Sequence, residues 1–284
     1  MAKVSVLGMG AMGSRMALSL LKAEHKVTVW NRSKEKTLPL AEAGAEVAST
    51  PRNAAKEAEY VISMVRDNEA SKQVWLGENG ALKGMLPTAI AIESSTLTVA
   101  WIKELGQQFQ QQQITFIDAL AGTRPQTEAA KLIYFVGGDL AVFQKVKPIL
   151  QATGSAVHHA GEIGSGMTIK LAVNSLFAIQ VLAVGELVSI MHQSGLDVSQ
   201  AWDIIASTLC SPAAAMAGKA INAQKFAPLF PIALVNKDFK YALDTVLEDR
   251  MNLSLVKATQ KLYAEAIERG YAEDNITDIV QIYQ

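Results

Sequence analysis

Cysteine is nearly absent from this sequence. Cys210 is the single one in 284 residues, which excludes an internal disulfide framework and fits a reducing compartment. Set between Leu209 and Ser211-Pro212, it is expected to be a packed small residue rather than a nucleophile. An excess of charge is also missing. Lysine and arginine number 26 against 27 aspartates and glutamates, so no global field draws the chain to nucleic acid or to an anionic membrane. Any recognition of an anion must therefore be local. The longest apolar stretch without a formal charge, Leu171 to Gly185, is fifteen residues and falls short of the ~18–20 expected of a spanning helix. A helix apolar around most of its circumference is instead expected inside a large core or between subunits, which predicts a homodimer or homotetramer. The start, Met1-Ala2-Lys3-Val4, runs directly into an apolar strand without the pattern of a secretory signal, and the expected location is cytoplasmic. Internal repeats are absent. His158 and His159 are adjacent, but no His/Asp/Glu cluster has ligand spacing, so no metal site is expected.

What the sequence does contain falls into two halves. Short β-branched runs alternate with helical patterns in the first, the mark of parallel strands joined by crossover helices. The predicted strands are Val4 to Leu7, Lys26 to Trp30, Tyr60 to Val65, Ala89 to Glu93, Thr115 to Asp118 and Ile133 to Val136. Several are continuous apolar runs, as strands covered on both faces are. From about Gly161 the pattern changes to helices without a convincing strand: Ser165 to Gln193, Val198 to Thr208, Pro212 to Ala220, Val235 to Glu248 and Ser254 to Arg269. The expected architecture is an α/β domain over residues 1–160 followed by an all-α domain over 161–284, divided where Gly161 and Gly164 interrupt the pattern.

Between the first strand and the first helix, Leu7-Gly8-Met9-Gly10-Ala11-Met12-Gly13 carries glycines at G-x-G-x-x-G spacing. Gly8 permits a tight turn, Gly10 leaves room for a pyrophosphate, and Gly13 lets helix and strand approach closely. The helix N-terminus then offers N–H groups and partial positive charge to the phosphates. The predicted dinucleotide contacts here are Gly8, Met9, Gly10, Ala11, Met12 and Gly13. An NAD site would place Asp or Glu at the end of the second strand, on the ribose 2′-hydroxyl, but the chain has Asn31-Arg32-Ser33. Arg32 can pair with a 2′-phosphate through its planar fork, with Asn31 and Ser33 adding neutral hydrogen bonds. NADP is the expected cofactor, with NAD second.

A further run, Gly164-Ser165-Gly166-Met167-Thr168-Ile169-Lys170-Leu171-Ala172-Val173-Asn174, sets Lys170 and Asn174 four apart on one face of an otherwise apolar helix. An ammonium on such a face is costly unless it is paired or functional. A carbonyl reductase needs a proton donor as hydride reaches the carbon, and a base in the reverse direction; a lysine with its pKa lowered by burial serves both. Asn236-Lys237-Asp238 offers a second charged cluster on a helix. Neighbouring helix positions diverge, so Lys237 is expected to face the cleft and Asp238 a backbone group or another helix.

These motifs together resemble the β-hydroxyacid dehydrogenase family. The Gly8-Met9-Gly10-Ala11-Met12-Gly13-Ser14-Arg15-Met16 segment is similar to its G-x-G-x-M-G-x-x-M signature, and Glu93-Ser94-Ser95-Thr96, Gly161 to Asn174 and Lys237-Asp238 match further blocks in order. The resemblance implies a Rossmann domain followed by a helical domain, and Val65 and Thr96 as cofactor contacts. It also implies Lys170 as the catalytic lysine, Asn174 as the residue that helps fix the substrate, and Lys237 beside cofactor and substrate. The family commonly has a D-A-P-V-S-G-G-like loop for the substrate carboxylate, where this chain has Asp118-Ala119-Leu120-Ala121-Gly122-Thr123-Arg124. Ala121 takes the serine's place, which leaves Gly122 and Thr123, with Arg124 in reach, to bind the carboxylate. The activity implied is NADP-dependent interconversion of a small 3-hydroxy acid and its aldehyde or keto acid. Two alternatives are an imine reductase, against which Lys170 argues, and a silent dinucleotide-binding subunit with a degraded substrate loop.

Overall fold

The computed structural model describes residues 1–122, 132–208, 212–223, 230–245 and 253–283. Cys210, Thr123 and Arg124 lie outside the described residues. The chain divides into two compact units, Met1–Lys170 and Leu171–Gln284.

The first unit is built on an eight-stranded sheet of order β3-β2-β1-β4-β5-β6-β7-β8. Its strands are β1 (Lys3–Leu7), β2 (Lys26–Trp30), β3 (Glu46–Val47), β4 (Tyr60–Ser63), β5 (Ile90–Glu93), β6 (Thr115–Gly122), β7 (Leu132–Gly137) and β8 (Gly154–Gly161). The helices between them are α1 (Ala11–Lys22), α2 (Leu38–Glu42), α3 (Pro51–Ala55), α4 (Asn68–Leu76), α5 (Val99–Gln111) and α6 (Leu140–Gln151), and α7 (Ser165–Gln193) follows the last strand. Residues 4–7 of β1 and all four of β5 are buried, as their continuous apolar runs require of strands covered on both faces.

All six expected strands are present, with three differences. The sheet is not wholly parallel, because β7 pairs with β6 antiparallel. Only residues 123–131 link those two strands, fewer than the dozen or more that a parallel crossover needs. The two-residue β3 and the edge strand β8 carry little pattern: β3 is exposed throughout, and β8 is Gly-Ser-Ala-Val-His-His-Ala-Gly with one fully buried residue. His159, within β8, bonds through Nε2 to the Gly138 carbonyl at 2.8 Å, and no metal-binding group of His, Cys, Asp or Glu occurs among the described residues.

The second unit contains the remainder of α7 with α8 (Val198–Ala206), α9 (Pro212–Asn222), α10 (Ile232–Asp244), α11 (Ser254–Glu268) and a 3-10 helix, Ile276–Tyr283. Its core joins Ala178, Val181 and Val188 of α7 to Trp202, Phe239, Tyr263 and Ile279. Glycine at 218 is needed because a Cβ there would enter the Trp202 ring. Among the described residues this unit has no strand, only an isolated bridge between Pro231 and Asn275.

Two properties of α7 depart from expectation. By length and composition it is apolar enough to cross a membrane, which its fifteen uncharged residues understate, although a core helix passes the same test. The compact units also part at Lys170/Leu171 rather than at 160/161. The cause lies in the first turn of α7, which the sheet holds by hydrogen bonds.

Candidate active site

The chain order of the sheet reverses between β1 and β4, and open α/β sheets bind ligands beyond the strand ends at such a point. The glycine turn stands there. Gly8 has φ of 104°, open to glycine at little cost, and a Cβ on Gly13 would strike the Gly8 carbonyl. A Cβ on Gly10 would meet nothing within 4 Å. Helix α1 starts immediately afterwards with no side-chain cap and no acid in its first turn, so its N-terminal dipole faces that open space.

Asn31 holds the turn from the β2 side. Its Oδ1 accepts from Met9 N–H at 2.9 Å, and its Nδ2 donates to the Ser33 carbonyl at 2.8 Å. Arg32 and Ser33 are exposed beside it. Met9 is buried, so its side chain packs in the core beneath the turn, as does Met16; Met12 is half-buried against the same core.

The ends of β4 and β5 complete this side. A Cβ on Gly8 would lie 3.1 Å from Val65 Cγ1, which puts the glycine turn directly against residue 65. Val65 N–H donates to Ser95 Oγ at 2.7 Å, tying the segment after β4 to the segment after β5. Thr96 is half-buried, and Leu97 N–H next to it donates to Met167 Sδ at 3.3 Å. That contact sets the first turn of α7 against the Thr96 segment, and Lys170, half-buried, follows Met167 by three residues.

Asp118, at 0 % exposure, fixes that turn. Its Oδ1 accepts from Gly164 N–H at 2.8 Å and its Oδ2 from Met167 N–H at 3.0 Å, so a carboxylate from β6 caps α7 from outside the helix. The approach needs glycine, since a Cβ on Gly166 would lie 2.8 Å from Oδ2. Burial pushes the Asp118 carboxyl up to about 7 despite the two N–H bonds that favour its anion. Glu93 is its neighbour in the β5–β6 register, and burial raises that carboxyl as well.

Ala121 and Gly122 do not lie in a loop. They extend β6 beside Tyr134 and Ile133 of β7. Alternation sends the Ala121 methyl into the core with Ala119, away from the face that carries Asp118 and Gly122.

In the second unit, Asn174 Nδ2 donates to Asp238 Oδ2 at 2.6 Å. Lys237 Nζ lies 3.2 Å from Asp238 Oδ1 and 5.0 Å from the centroid of the Tyr241 ring. The Lys237 and Asp238 side chains therefore do not diverge as their adjacent positions imply. A lysine stem is long enough to curl back, and side chains only 19 % and 5 % exposed have little water to replace the ion pair. Asp238 does reach a neighbouring helix, as expected.

The sequence matches the model for the NAD binding domain of 6-phosphogluconate dehydrogenase over residues 3–161, and the model for the NAD-binding domain of NADP-dependent 3-hydroxyisobutyrate dehydrogenase over residues 164–283. The chain belongs to the β-hydroxyacid dehydrogenase family. This dehydrogenase is 28% identical over 280 residues to glyoxylate/succinic semialdehyde reductase 2 of Arabidopsis thaliana, covering 98% of this chain and 78% of the relative. It is 31% identical over 274 residues to the uncharacterized oxidoreductase YfjR of Bacillus subtilis, covering 95% and 96%. Its fold is similar to that of 3-hydroxyisobutyrate dehydrogenase from Mycobacterium tuberculosis, with a TM-score of 0.89 at 24% identity over 100% and 99% of the two chains. It is thus an oxidoreductase of CH–OH groups that uses a nicotinamide dinucleotide.

The residues present fit that cofactor. The space that a Cβ on Gly10 would enter adjoins an uncapped helix N-terminus, which suits a pyrophosphate. No motif in the sequence marks Glu93 and Asp118 as organising residues. The available signal was a carboxylate closing an otherwise apolar strand, in Ile-Ala-Ile-Glu93 and Thr-Phe-Ile-Asp118.

Proposed function

We propose that this dehydrogenase uses NADP(H) to interconvert a small 3-hydroxy acid and its aldehyde or keto acid, with Lys170 as the general acid and base. The observation that carries this reading is the tie between Leu97 N–H and Met167 Sδ, which brings the turn before Lys170 to the Thr96 segment. Bound there, the dinucleotide supplies or accepts the hydride. Lys170 gives its proton to the carbonyl oxygen as the carbon is reduced, and takes the hydroxyl proton in the reverse direction. Asn174 lies one turn further along α7, with Nδ2 engaged by Asp238, and so offers Oδ1 to a substrate hydroxyl. Lys237 provides positive charge for a carboxylate, and the Gly122 N–H and Thr123 hydroxyl are further candidates to bind it. Val65 and Thr96 contact the nicotinamide end, and Arg32 with Ser33 the 2′-phosphate, while Asn31 acts mainly by holding the glycine turn.

The imine reductase alternative is disfavoured by Lys170, and the silent subunit by retention of Lys170, Asn174 and Lys237 together. We place the enzyme in the cytoplasm, in keeping with its single cysteine. We also propose a homo-oligomer. Val173, Leu176, Leu187 and Ile190 form an exposed apolar stripe on α7, with Leu176 and Ile190 at 58% and 59%, and a second copy of the helix would cover it.

The test is a panel of short aldehydes, keto acids and hydroxy acids followed by NADPH absorbance, with Lys170→Met in parallel. Methionine keeps the apolar length but removes the exchangeable proton, so turnover is expected to fall about 10²- to 10⁴-fold with NADPH affinity within a few-fold of wild type. Retention of most turnover by Lys170→Met would assign the proton to another group.

A further inference from the structure

Glu93 closes β5 with a carboxylate at 0 % exposure, and the chemistry proposed above makes no use of it. Its Oε1 accepts from Ser95 N–H at 2.9 Å. Its Oε2 accepts from Ser71 Oγ and from Trp75 Nε1, each at 2.7 Å. Ser71 Oγ also accepts from Trp101 Nε1 at 3.0 Å, and Ser95 Oγ accepts from Val65 N–H at 2.7 Å. An N–H can only donate, so the Ser71 hydroxyl turns its own proton toward Glu93. The carboxylate thereby meets three neutral donors shared between its two oxygens, a set that a neutral amide with one oxygen cannot accept in the same places.

The network reaches past its own strand. Through Ser95 it fixes Val65 after β4 and the residue before Thr96 after β5, and Val65 packs against the glycine turn. Through Ser71, Trp75 and Trp101 it braces the same point against α4 and α5. We infer that Glu93 is a positioning residue for the cofactor: by accepting from Ser95 N–H it fixes Ser95, whose hydroxyl accepts from Val65 N–H, and so holds Val65 and Thr96 in the arrangement that receives the nicotinamide end. The inference rests on Val65 and Thr96 being the nicotinamide contacts of the proposed function.

A glutamine at 93 would turn an amide N–H₂ toward a donor that needs an acceptor, releasing the Ser95 N–H and with it the Ser95 hydroxyl that holds Val65. Ser95→Ala removes the bond to Val65 while leaving the Ser95 N–H, Ser71 and Trp75 bonds to Glu93 in place, and decides the question even if Glu93→Gln fails to fold. The measurement is calorimetric titration of both variants and wild type with NADPH and with adenosine 2′,5′-bisphosphate, a fragment that has the adenine end and no nicotinamide. Both variants are expected to bind NADPH about tenfold more weakly and the bisphosphate within about twofold of wild type. Loss of neither ligand, or equal loss of both, would overturn the inference, since a purely structural carboxylate does not distinguish the two ends of the cofactor. A wild type that prefers NADH would instead refute the NADP reading, and the same comparison made with NADH and ADP would still decide the role of Glu93.

Discussion

Asp118 Oδ2 and the Met167 N–H lie 3.0 Å apart across 49 residues of sequence, and with the Gly164 bond they make the start of α7 an extension of the sheet. An asparagine at 118 has one acceptor oxygen where the aspartate has two, so one of these N–H groups would face an amide N–H₂. Asp118→Asn is therefore expected to lower kcat tenfold or more by releasing the turn before Lys170, while NADPH affinity stays within about twofold. Steady-state kinetics with direct cofactor titration checks this. An unchanged kcat would mean that α7 holds Lys170 in place without the cap.

The pH dependence of stability has a definite sign. The folded Asp118 carboxyl is raised from 3.8 to about 7, so the folded state keeps a proton that the unfolded state has lost. This group's contribution is complete below pH 4, declines as pH rises to 7, and is level above. The span corresponds to a ceiling of about 4 kcal/mol, and Glu93, also raised, acts in the same direction. Urea denaturation should show wild type more stable near pH 5 than near pH 7.5, with a shallower slope in Asp118→Asn. A wild type that gains stability over that interval would contradict the assignment.

Arg32 is exposed at the end of β2, with no carboxylate among Asn31, Arg32 and Ser33. Arg32→Ala should weaken NADPH by one to two decades, corresponding to a lost charge-assisted contact of about 1.5–3 kcal/mol, and leave NADH nearly unaffected. Titration of both cofactors into both proteins is the measurement. Equal affinity of the wild type for NADPH and NADH would remove the argument for NADP.

The α7 stripe makes a prediction about assembly. Leu176 is 58% exposed, so Leu176→Glu should leave the fold intact but place a charge where a second copy would pack. Light scattering at low micromolar concentration should give an oligomer for wild type and a smaller species for the variant. A monomeric wild type would show that water covers the stripe.

Much of this architecture is legible in local sequence, and the parts that are not have a common cause. The glycine turn and the apolar strands carry their signal in adjacent residues, so their places could be read directly. Asn31 could be found as a polar residue at the right strand end, but not as the clasp of Met9, a bond between residues 22 apart. Pairing across 46 and 49 residues equally hides the Asp118 cap, and the curl of Lys237 onto Asp238 depends on burial that adjacent residues do not encode. The antiparallel β7 was within reach, because nine residues are too few for a crossover.

Helix α7 runs unbroken from Ser165 to Gln193, so Lys170 and Asn174 stand about 40° apart in phase around its axis and share a face. Each residue of an α-helix advances the chain by about 100°. A single alanine inserted after Ala172 would carry Asn174 to about 140° from Lys170 around the helix axis without changing the identity of any residue of the proposed site. Substitution on the exposed side preserves that phase, whereas a change of length destroys it. For the chemistry proposed above, the helix is thus a gauge read in whole residues, and the spacing of positions 170 and 174 is the length it sets.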